Sequence, residues 1–230
     1  MSNISTKTFK DQYYYLSNVF DQHIGQHYYK YIRKNFRIIS KCLSPGAKHL
    51  DIGCGTGDLL EFSSSLSFIP TGIDVSQGMI KIARSKLNSK IDIKCCDMFT
   101  IKNERYEIIT ANNDVLNYMA LNHDLTDIFN HIHSLLSSGG IFYADVVSKK
   151  DILENWKLSG HSHSDNKTFR CNVTYDVKDS SSCIGIVKRD WIFKENGKWN
   201  NKSCEVELLK GISSKEIKRE SKQNNFNLEI

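Results

Sequence analysis

The chain has 230 residues, of which 40% are hydrophobic and 25% charged, and its net charge is +5. This composition is typical of a soluble globular protein of one elaborated domain. We see no apolar run long enough to span a membrane and no signal segment, so we expect a cytoplasmic protein without a membrane partner.

The seven cysteines include no Cys-x-x-Cys pair. They are typical of reduced core residues in a cytosolic protein, and we expect no metal site. His161-Ser162-His163 is the one pair that resembles metal ligands, but the stretch is polar and turn-like, with no third ligand nearby. We therefore predict a mobile loop there.

A basic, amphipathic helix is predicted near the start of the chain. Apolar residues recur every three or four positions from Tyr28 to Leu43, and the pattern stops at Ser44-Pro45-Gly46. Residues 1–50 carry eight Lys or Arg against two Asp, and this excess could attract an anionic substrate or RNA. We favour the solvated face of a helix, because the opposite face is apolar.

A strand that runs into a glycine-rich turn is the most informative feature. Residues 48–52 read as a strand, Gly53-Cys54-Gly55-Thr56-Gly57 as the turn, and a helix follows from Asp58. Glycines allow a ligand close to the backbone, and the helix start adds unpaired N–H groups. Two later strands end near Asp74 and Asp97, whose carboxylates could accept hydrogen bonds from a nucleoside. The pattern predicts a nucleoside-containing cofactor.

Strand and helix patterns alternate through the first 147 residues. The strands are predicted at 48–52, 71–74, 91–95, 106–111 and 141–147, with amphipathic helices between several of them. Such alternation predicts a parallel sheet covered by helices on both faces. In these sheets the ligand lies beyond the carboxyl ends of the strands, where the strand order reverses.

Two kinds of cofactor site use a turn of this sort. The dinucleotide fingerprint Gly-x-Gly-x-x-Gly holds a pyrophosphate at the helix start. Here Gly57 comes one residue early, and the Asp58 carboxylate would repel a pyrophosphate. The spacing Asp51-x-Gly53-x-Gly55-x-Gly57 instead resembles the first motif of class I S-adenosylmethionine-dependent methyltransferases.

The resemblance extends, in order, over roughly residues 10–150 and is strongest to small-molecule enzymes such as the glycine and amino-sugar N-methyltransferases. It implies S-adenosylmethionine as cofactor and an α/β fold: a doubly wound, mainly parallel Rossmann-like sheet with an inserted antiparallel β lid. It also implies these contacts: Asp51, Gly53, Cys54 and Gly55 at the methionine part, Asp74 and Val75 at the ribose, Asp97 and Met98 at the adenine, and Met79, Asn112 and Tyr28 elsewhere in the site. For Tyr28, and for its neighbour Tyr29, core packing is an equal alternative.

Two residues are candidates for the chemistry of methyl transfer. Asn113 follows the fourth strand and would line the pocket of the reacting sulfonium. Asp145 follows the fifth strand and could orient an amine or act as a base, with a structural hydrogen bond as an equal alternative. The Asn-Pro-Pro-Tyr signature used on flipped bases is absent here, so we do not expect nucleic acid as the substrate.

The sequence pattern changes after Val147. Apolar and polar residues alternate over 169–177, and two further strands are predicted at 183–194 and 198–210, joined by Asn196-Gly197. We therefore predict a cofactor-binding domain of residues 1–147 and 211–230, and an antiparallel lid of residues 148–210 that excludes water from a small substrate. A sheet that makes a homodimer contact is the alternative.

The tail departs from the family pattern. Residues 213–225 read as a helix and 226–230 as the start of a strand, where the family continues with a further antiparallel strand. We expect a methyltransferase acting on a small molecule, perhaps at an amine. An RNA methyltransferase and a catalytically silent methyltransferase-like partner subunit are the alternatives.

Overall fold

The computed structural model describes residues 13–156, 161–165 and 167–229. Five strands form the first sheet: β1 Lys48–Ile52, β2 Ile69–Asp74, β3 Asp92–Cys95, β4 Tyr106–Ala111 and β5 Leu136–Ala144. Their order is β3-β2-β1-β4-β5, and β1 pairs in parallel with both β2 and β4. The order reverses between β1 and β4, so the carboxyl ends of these two strands mark the expected ligand position. The predicted Rossmann-like fold is confirmed.

Seven α-helices lie within the described residues. They are α1 Tyr14–Phe20, α2 Gln26–Ile39, α3 Asp58–Ser65, α4 Gln77–Lys86, α5 Val115–Met119, α6 Leu125–Leu135 and α7 Ser214–Gln223. A π-helical turn, Asp21–Gly25, joins α1 to α2. The predicted amphipathic helix is α2, although it ends at Ile39 and Leu43 lies beyond it in extended backbone.

A second sheet is antiparallel. Its strands are β6 His161–Asp165, β7 Phe169–Asp179, β8 Ile184–Glu195 and β9 Lys198–Lys210, in the order β6-β7-β8-β9. Hydrophobic alternation places Phe169, Cys171 and Val173 on the buried face of β7, and the register puts Trp191 on the same face. The predicted three-stranded hairpin pair is therefore present, with one strand more than expected.

Contacts divide the chain into two compact units. The first runs to Asn112 and takes in Leu135–Tyr143, and the second comprises Asn113–Ser134 and the chain from Ala144 onward. In the first unit a core of Ile32, Phe36, Leu59, Phe62, Phe68 and Ile108 joins α2 and α3 to β4. Phe36 packs edge-on against Phe62 and Phe68, at 6.3 and 5.7 Å between ring centroids.

Strands β5 and β6 differ most from the sequence predictions. The stretch around His163, predicted as a loop, is the edge strand β6, which pairs through its backbone and so needs no hydrophobic alternation. Strand β5 begins at Leu136, before the paired glycines, and ends at Ala144; its Ser137 hydroxyl donates to Glu107 in β4 at 3.0 Å. Sheet pairing has overridden the turn preference of the glycines.

The tail ends without the predicted strand in its described part. Helix α7 is capped by Ser213, which forms a capping box with Glu216. Residues 226–229 are not in a strand, and the Phe226 ring packs on Phe129 of α6 at 6.0 Å between centroids. The contact of this half-buried ring, and no strand pairing, is what holds the described tail here. Ile230 and residues 1–12 lie outside the described residues.

Candidate functional site

The glycine turn between β1 and α3 is held against the end of β2 by its own N–H groups. Four of its five N–H groups donate within the protein: Gly53 and Cys54 to the Ile73 carbonyl at 2.8 and 3.0 Å, Gly55 to Asp74 Oδ2 at 2.9 Å, and Gly57 to the Cys54 carbonyl at 2.9 Å. These groups cannot also cradle a phosphate. The turn therefore lets a ligand approach its backbone closely, but it does not form a nest of N–H donors for an anion.

Two of the glycines are required by conformation and space. Gly55 has φ +53°, and a Cβ there would point into open space, which is where a ligand can approach the backbone. Gly57 has φ +85°, and a Cβ there would lie 2.5 Å from Leu87 Cδ1. Gly55 therefore serves access to the turn, whereas Gly57 serves packing of the turn on α4.

Asp74 links the glycine turn to the start of α4. Its Oδ2 accepts from the Gly55 N–H and its Oδ1 from the Ser76 N–H at 2.7 Å. Burial raises the pKa of Asp74, while these backbone N–H groups lower it. Each oxygen keeps a second lone pair, so the carboxylate can still accept hydrogen bonds from two hydroxyls of a ligand.

Asp51 lies on β1, the strand next to β2, and is almost fully buried. Its Oδ1 accepts from the hydroxyl of Thr110, its register partner on β4, at 2.6 Å. Burial raises its pKa to about 7, with a smaller contribution from the Asp74 charge, and the Thr110 hydroxyl opposes the shift. A buried carboxylate in this condition gains greatly from a cation.

Asn112 supplies an unused donor in the same region. It is the residue after β4, its side chain is 7% exposed, and its Nδ2 is buried without a hydrogen-bond partner. The Asn112 side chain also lies near enough to Asp51 to lower the pKa of that carboxyl. An unsatisfied buried N–H group costs about 1–3 kcal/mol, which an acceptor on a ligand would recover.

Four other predicted contact residues are also part of the packing of the protein. The Cys54 side chain packs in a core cluster with Leu60, Ile80, Ala83 and Ile93, so only its backbone is left for a ligand. Met79 is 4% exposed in the first turn of α4, and Val75 is half-buried between Asp74 and the cap of that helix. Tyr28 packs against the core beneath α2.

Asp97 and Met98 lie at the end of β3, as predicted. The exposed Asp97 caps a short 3₁₀ turn by accepting from the Phe99 N–H at 2.9 Å. Met98 is 2% exposed. The turn leaves the Asp97 side chain at the surface beyond the strand, where a ligand's amino group could reach it.

Sequence reasoning missed a polar clamp on the glycine turn. Asp21, in the π-helical turn, accepts hydrogen bonds from Tyr29 and Thr56 at one oxygen and from Lys86 of α4 at the other. Burial acts to raise the pKa of Asp21, but these three donors outweigh it and lower the pKa. Thr56 belongs to the turn itself, so the N-terminal segment is tied to it. No spacing in the sequence signals this contact across 35 residues.

A second missed contact holds the start of α3. Asp58 is buried and forms a bidentate ion pair with Arg33 of α2, with Nε to Oδ2 at 2.8 Å. The carboxylate at the helix start therefore occupies the place where a dinucleotide's pyrophosphate would bind. Arg33 was expected only on the solvated face of its helix.

The second unit begins with the residues predicted to do chemistry. Asn113 and Asp114 both adopt left-handed backbone conformations, with φ of +61° and +64°, which is uncommon outside glycine and is concentrated at functional positions. Asp145 Oδ1 accepts from the Asp114 N–H at 2.9 Å, so its carboxylate holds this strained turn. Asp145 thus makes a structural hydrogen bond, which was the alternative to its role as a base.

Asp114 is a candidate that sequence reasoning missed. Burial raises its pKa to about 7, helped by the charges of Asp145 and Glu207 and opposed by Arg189. Glu207 accepts hydrogen bonds from Tyr118 of α5, at 2.7 Å, and from Arg189 on the neighbouring strand. In the sequence, the only sign that pointed to Asp114 was its position as a polar residue directly after Asn113.

Three large residues of the antiparallel sheet do not share one face. Trp191 and Tyr175 lie on the buried face of the antiparallel sheet, while Arg170 lies on the opposite face. Arg170 pairs with Asp165 at 3.1 Å and covers the Trp199 ring at 4.2 Å. Successive side chains along a strand point to opposite faces, so these three side chains do not line one pocket.

Within the described ranges, no helix is long and apolar enough to cross a bilayer. The described His, Cys, Asp and Glu side chains also form no group of three that could hold a metal ion.

Comparison with known proteins agrees with this geometry. A family model described as "Methyltransferase domain" matches residues 50–140. A protein of Geobacillus sp. (strain WCH70), provisionally named a methyltransferase, is 32% identical over 108 residues, which are 45% of this chain and 44% of that protein. Residues 50–140 of the chain are thus similar to a methyltransferase domain.

Solved methyltransferases share the fold over most of the chain. An S-adenosylmethionine-dependent methyltransferase from Clostridium acetobutylicum ATCC 824 has a TM-score of 0.73 at 21% identity, covering 91% of this chain and 85% of its own. The sugar N-methyltransferase KedS8 from Streptoalloteichus sp ATCC 53650 has a TM-score of 0.69 at 16% identity, covering 97% and 90%. The chain spans about half the length of the curated relatives it matches.

A methyltransferase domain of this kind uses S-adenosylmethionine, and the residues present fit that cofactor. The turn offers close backbone at Gly55, carboxylates at Asp51 and Asp74, and an unsatisfied donor at Asn112. These groups suit a ligand with a cationic amino-acid end, a ribose and no phosphate.

Proposed function

We propose that this methyltransferase transfers a methyl group to an amine of a small molecule. One observation carries the proposal of a cofactor site. The N–H groups of the glycine turn are used within the protein, while the carboxylates of Asp51 and Asp74 and the unsatisfied donor of Asn112 lie at the ends of the neighbouring strands. When bound, S-adenosylmethionine supplies a methyl carbon activated by a sulfonium centre.

In this proposal, each predicted contact residue has a specific task. Asp51 pairs with the ammonium of the cofactor, and Asp74 accepts hydrogen bonds from the ribose hydroxyls. Asp97 and Met98 contact the adenine, and Asn112 donates to an oxygen of the ligand. Gly53, Cys54, Gly55 and Val75 contribute backbone, and Met79 and Tyr28 support the turn and α2 from the core.

We assign the base to Asp114 in preference to Asp145. One Asp145 oxygen is occupied by the Asp114 N–H, whereas Asp114 has a pKa of about 7 and can accept a proton from an ammonium substrate near neutral pH. Asn113, in its strained conformation, orients the acceptor. Asp114, Asp145 and Glu207 are three carboxyl groups against the one guanidinium of Arg189, an excess that favours a cationic substrate. The amino-sugar enzymes among the structural neighbours are consistent with an amine.

The predicted lid boundaries also receive support. Asn117 is fully buried and its amide bonds to both ends of the insertion, to the Val147 N–H and carbonyl and to the Lys210 carbonyl, at 2.8–2.9 Å. The Ile212 N–H donates to the same Val147 carbonyl at 3.2 Å. Residues 148–210 therefore leave and rejoin the chain at neighbouring points, as an insertion does. We propose that they form a substrate lid on the domain of residues 1–147 and 211–230.

We propose a cytoplasmic protein that acts without a nucleic acid or membrane partner, and a homodimer contact through the antiparallel sheet stays a prediction. The basic residues Lys30, Lys34 and Arg37 are exposed along α2, which is the solvated face expected of an amphipathic helix. No feature of the described residues favours RNA over a small substrate.

The test is calorimetry with S-adenosylmethionine, followed by a metabolite screen for gain of one methyl group. Asp114→Asn should keep cofactor affinity and lose methyl transfer, whereas the wild-type rate should rise with pH through about 7 as Asp114 loses its proton. Asp145→Asn should move this rise to lower pH, because the Asp145 charge helps to raise the pKa of Asp114. Methylated RNA in place of a small product, or no product with any substrate, would overturn the proposal.

A further inference from the structure

Three buried polar side chains form a line that leads to Asp51 along one face of the parallel sheet. Ser63 Oγ lies 3.0 Å from His49 Nδ1, His49 Nε2 lies 2.8 Å from Thr110 Oγ1, and Thr110 Oγ1 lies 2.6 Å from Asp51 Oδ1. Their exposed fractions are 0% for Ser63 and His49, 1% for Thr110 and 4% for Asp51. The line is therefore closed to solvent along its whole length.

The register of the sheet creates this line. His49 and Asp51 are two residues apart on β1, so their side chains share a face, and Thr110 stands opposite Asp51 on β4. The His49 ring packs on Phe36 at 4.8 Å between centroids, and α3 brings Ser63 over it. An aliphatic residue would satisfy the packing, so a histidine here needs a polar explanation.

The hydrogen bonds fix the direction of every proton in the line. The Thr110 hydroxyl has one proton and donates it to Asp51, so Thr110 Oγ1 must accept from His49. His49 is then neutral with its proton on Nε2, and its Nδ1 accepts from the Ser63 hydroxyl. Burial agrees with this assignment, since it lowers the pKa of His49 to about 3.

Asp51 faces several other ionisable groups. They are Asp74 at the end of β2, Asp58 at the start of α3 with its partner Arg33, and the Cys54 thiol. The charges of Asp74 and Asp58 disfavour a charge on Asp51, whereas the Thr110 hydroxyl and Asn112 favour one. The Asn112 Nδ2 beside this carboxylate is buried and has no partner of good hydrogen-bond geometry, and an acceptor on a ligand would satisfy it.

We propose that His49 is a positioning residue for cofactor binding: through the Thr110 hydroxyl it holds Asp51 as a charged acceptor for the ammonium group of S-adenosylmethionine. The proposal rests on the proposed function. We call this line of side chains the relay. Because Thr110 donates to Asp51 Oδ1, the relay leaves Asp51 Oδ2 for the ammonium group of the cofactor. Loss of any link weakens the charged form of Asp51 and moves cofactor affinity to higher pH.

The relay can be tested by calorimetric titration of S-adenosylmethionine between pH 5.5 and 8.5. Thr110→Val should lower affinity about tenfold at pH 7 and raise the midpoint of the pH dependence by roughly one unit, the scale of one hydrogen bond to a charge. Thr110→Ser keeps the hydroxyl and should behave as wild type. His49→Leu should shift the midpoint in the same direction, and the His49→Leu/Thr110→Val double variant should be no worse than Thr110→Val alone.

Several outcomes would overturn the relay. They are an unchanged midpoint in His49→Leu, effects of His49 and Thr110 that add, and a nitrogen NMR signature that places the His49 proton on Nδ1. If His49→Leu fails to fold, Ser63→Ala tests the line from its far end, and an unchanged midpoint there also counts against it. A wild-type protein that does not bind S-adenosylmethionine at any pH would overturn the proposed function itself.

Discussion

At the scale of single residues, the candidate site is organised by carboxylates with different partners. Asp74 receives two backbone N–H groups, Asp51 receives one hydroxyl, and Asp114 is raised in pKa beside Asp145. The number of donors at each carboxylate sets how readily it holds a charge. Roles that look alike in the sequence are thereby separated.

Replacing Asp74 by alanine should weaken S-adenosylmethionine binding by about 1.5–3 kcal/mol, the scale of hydrogen bonds to a charged acceptor. The change also frees the Gly55 and Ser76 N–H groups, so part of the loss comes from a looser turn. Calorimetry measures it, with Asp92→Ala, exposed at the start of β3, as control. Unchanged affinity in a folded Asp74→Ala protein would remove this residue from the site.

Replacing Asp51 by asparagine should stabilise the cofactor-free protein in a pH-dependent way. The pKa of Asp51 rises from 3.8 to about 7 on folding, so between these values the native carboxyl keeps a proton that the unfolded chain has lost. Native stability from this group therefore falls as pH rises, and the advantage of Asp51→Asn should grow by up to about 4 kcal/mol from pH 4 to pH 7. Urea unfolding at pH 4, 6 and 8 measures it. A constant difference would show that Asp51 does not titrate in this range.

At the scale of elements, the glycine turn acts as a rigid piece clamped from two sides. Its N–H groups bond to the end of β2, and Thr56 is tied to Asp21 in the N-terminal segment. Rigid backbone lets a ligand bind without the entropic cost of ordering a loop. The clamp also explains why Tyr29, rather than Tyr28, reaches the turn.

A side chain at Gly55 should abolish cofactor binding while the secondary structure is kept. In Gly55→Val the new atoms would fill the open side of the turn. Gly46→Val is the matched control, because Gly46 also has a positive φ and open space around its Cβ, in a turn before β1. Circular dichroism checks folding and calorimetry checks binding. Normal affinity in Gly55→Val would reduce the motif to an ordinary turn.

NAD should neither raise the melting temperature nor compete with S-adenosylmethionine. The N–H groups of Gly53, Cys54, Gly55 and Gly57 are already used within the protein, and the Asp58 carboxylate occupies the helix start. Thermal shift assays with NAD and with S-adenosylmethionine make the comparison. Saturable stabilisation by micromolar NAD would contradict this reading of the turn.

At the scale of the whole molecule, we propose that the parallel sheet binds the cofactor and that the antiparallel insertion covers the substrate. The contacts of Asn117 with Val147 and Lys210 make the two ends of the insertion neighbours. An insertion with adjacent ends can be gained or removed with little loop-closure entropy. Substrate choice can therefore vary without changing the cofactor-binding sheet.

Replacing residues 148–210 by a short Gly/Ser linker should leave cofactor affinity within about tenfold, or about 1.4 kcal/mol. Methyl transfer should vanish, because the lid that we propose to exclude water is gone. The full-length chain, titrated and assayed in parallel, is the control. Loss of cofactor binding in a folded deletion protein would place the insertion in the cofactor site, and surviving activity would favour a dimer contact over a lid.

The sequence by itself determined the parallel sheet, the glycine turn and the acidic strand ends, because periodicity and spacing are local properties of the chain. It also indicated the antiparallel hairpins, but not β6, since an edge strand pairs without a hydrophobic pattern. Only the tertiary structure placed Asp21 on Thr56, Arg33 on Asp58 and His49 on Thr110. Each of these contacts joins residues at least 25 positions apart, and their hydrogen bonds exist only after the sheet has brought the elements together.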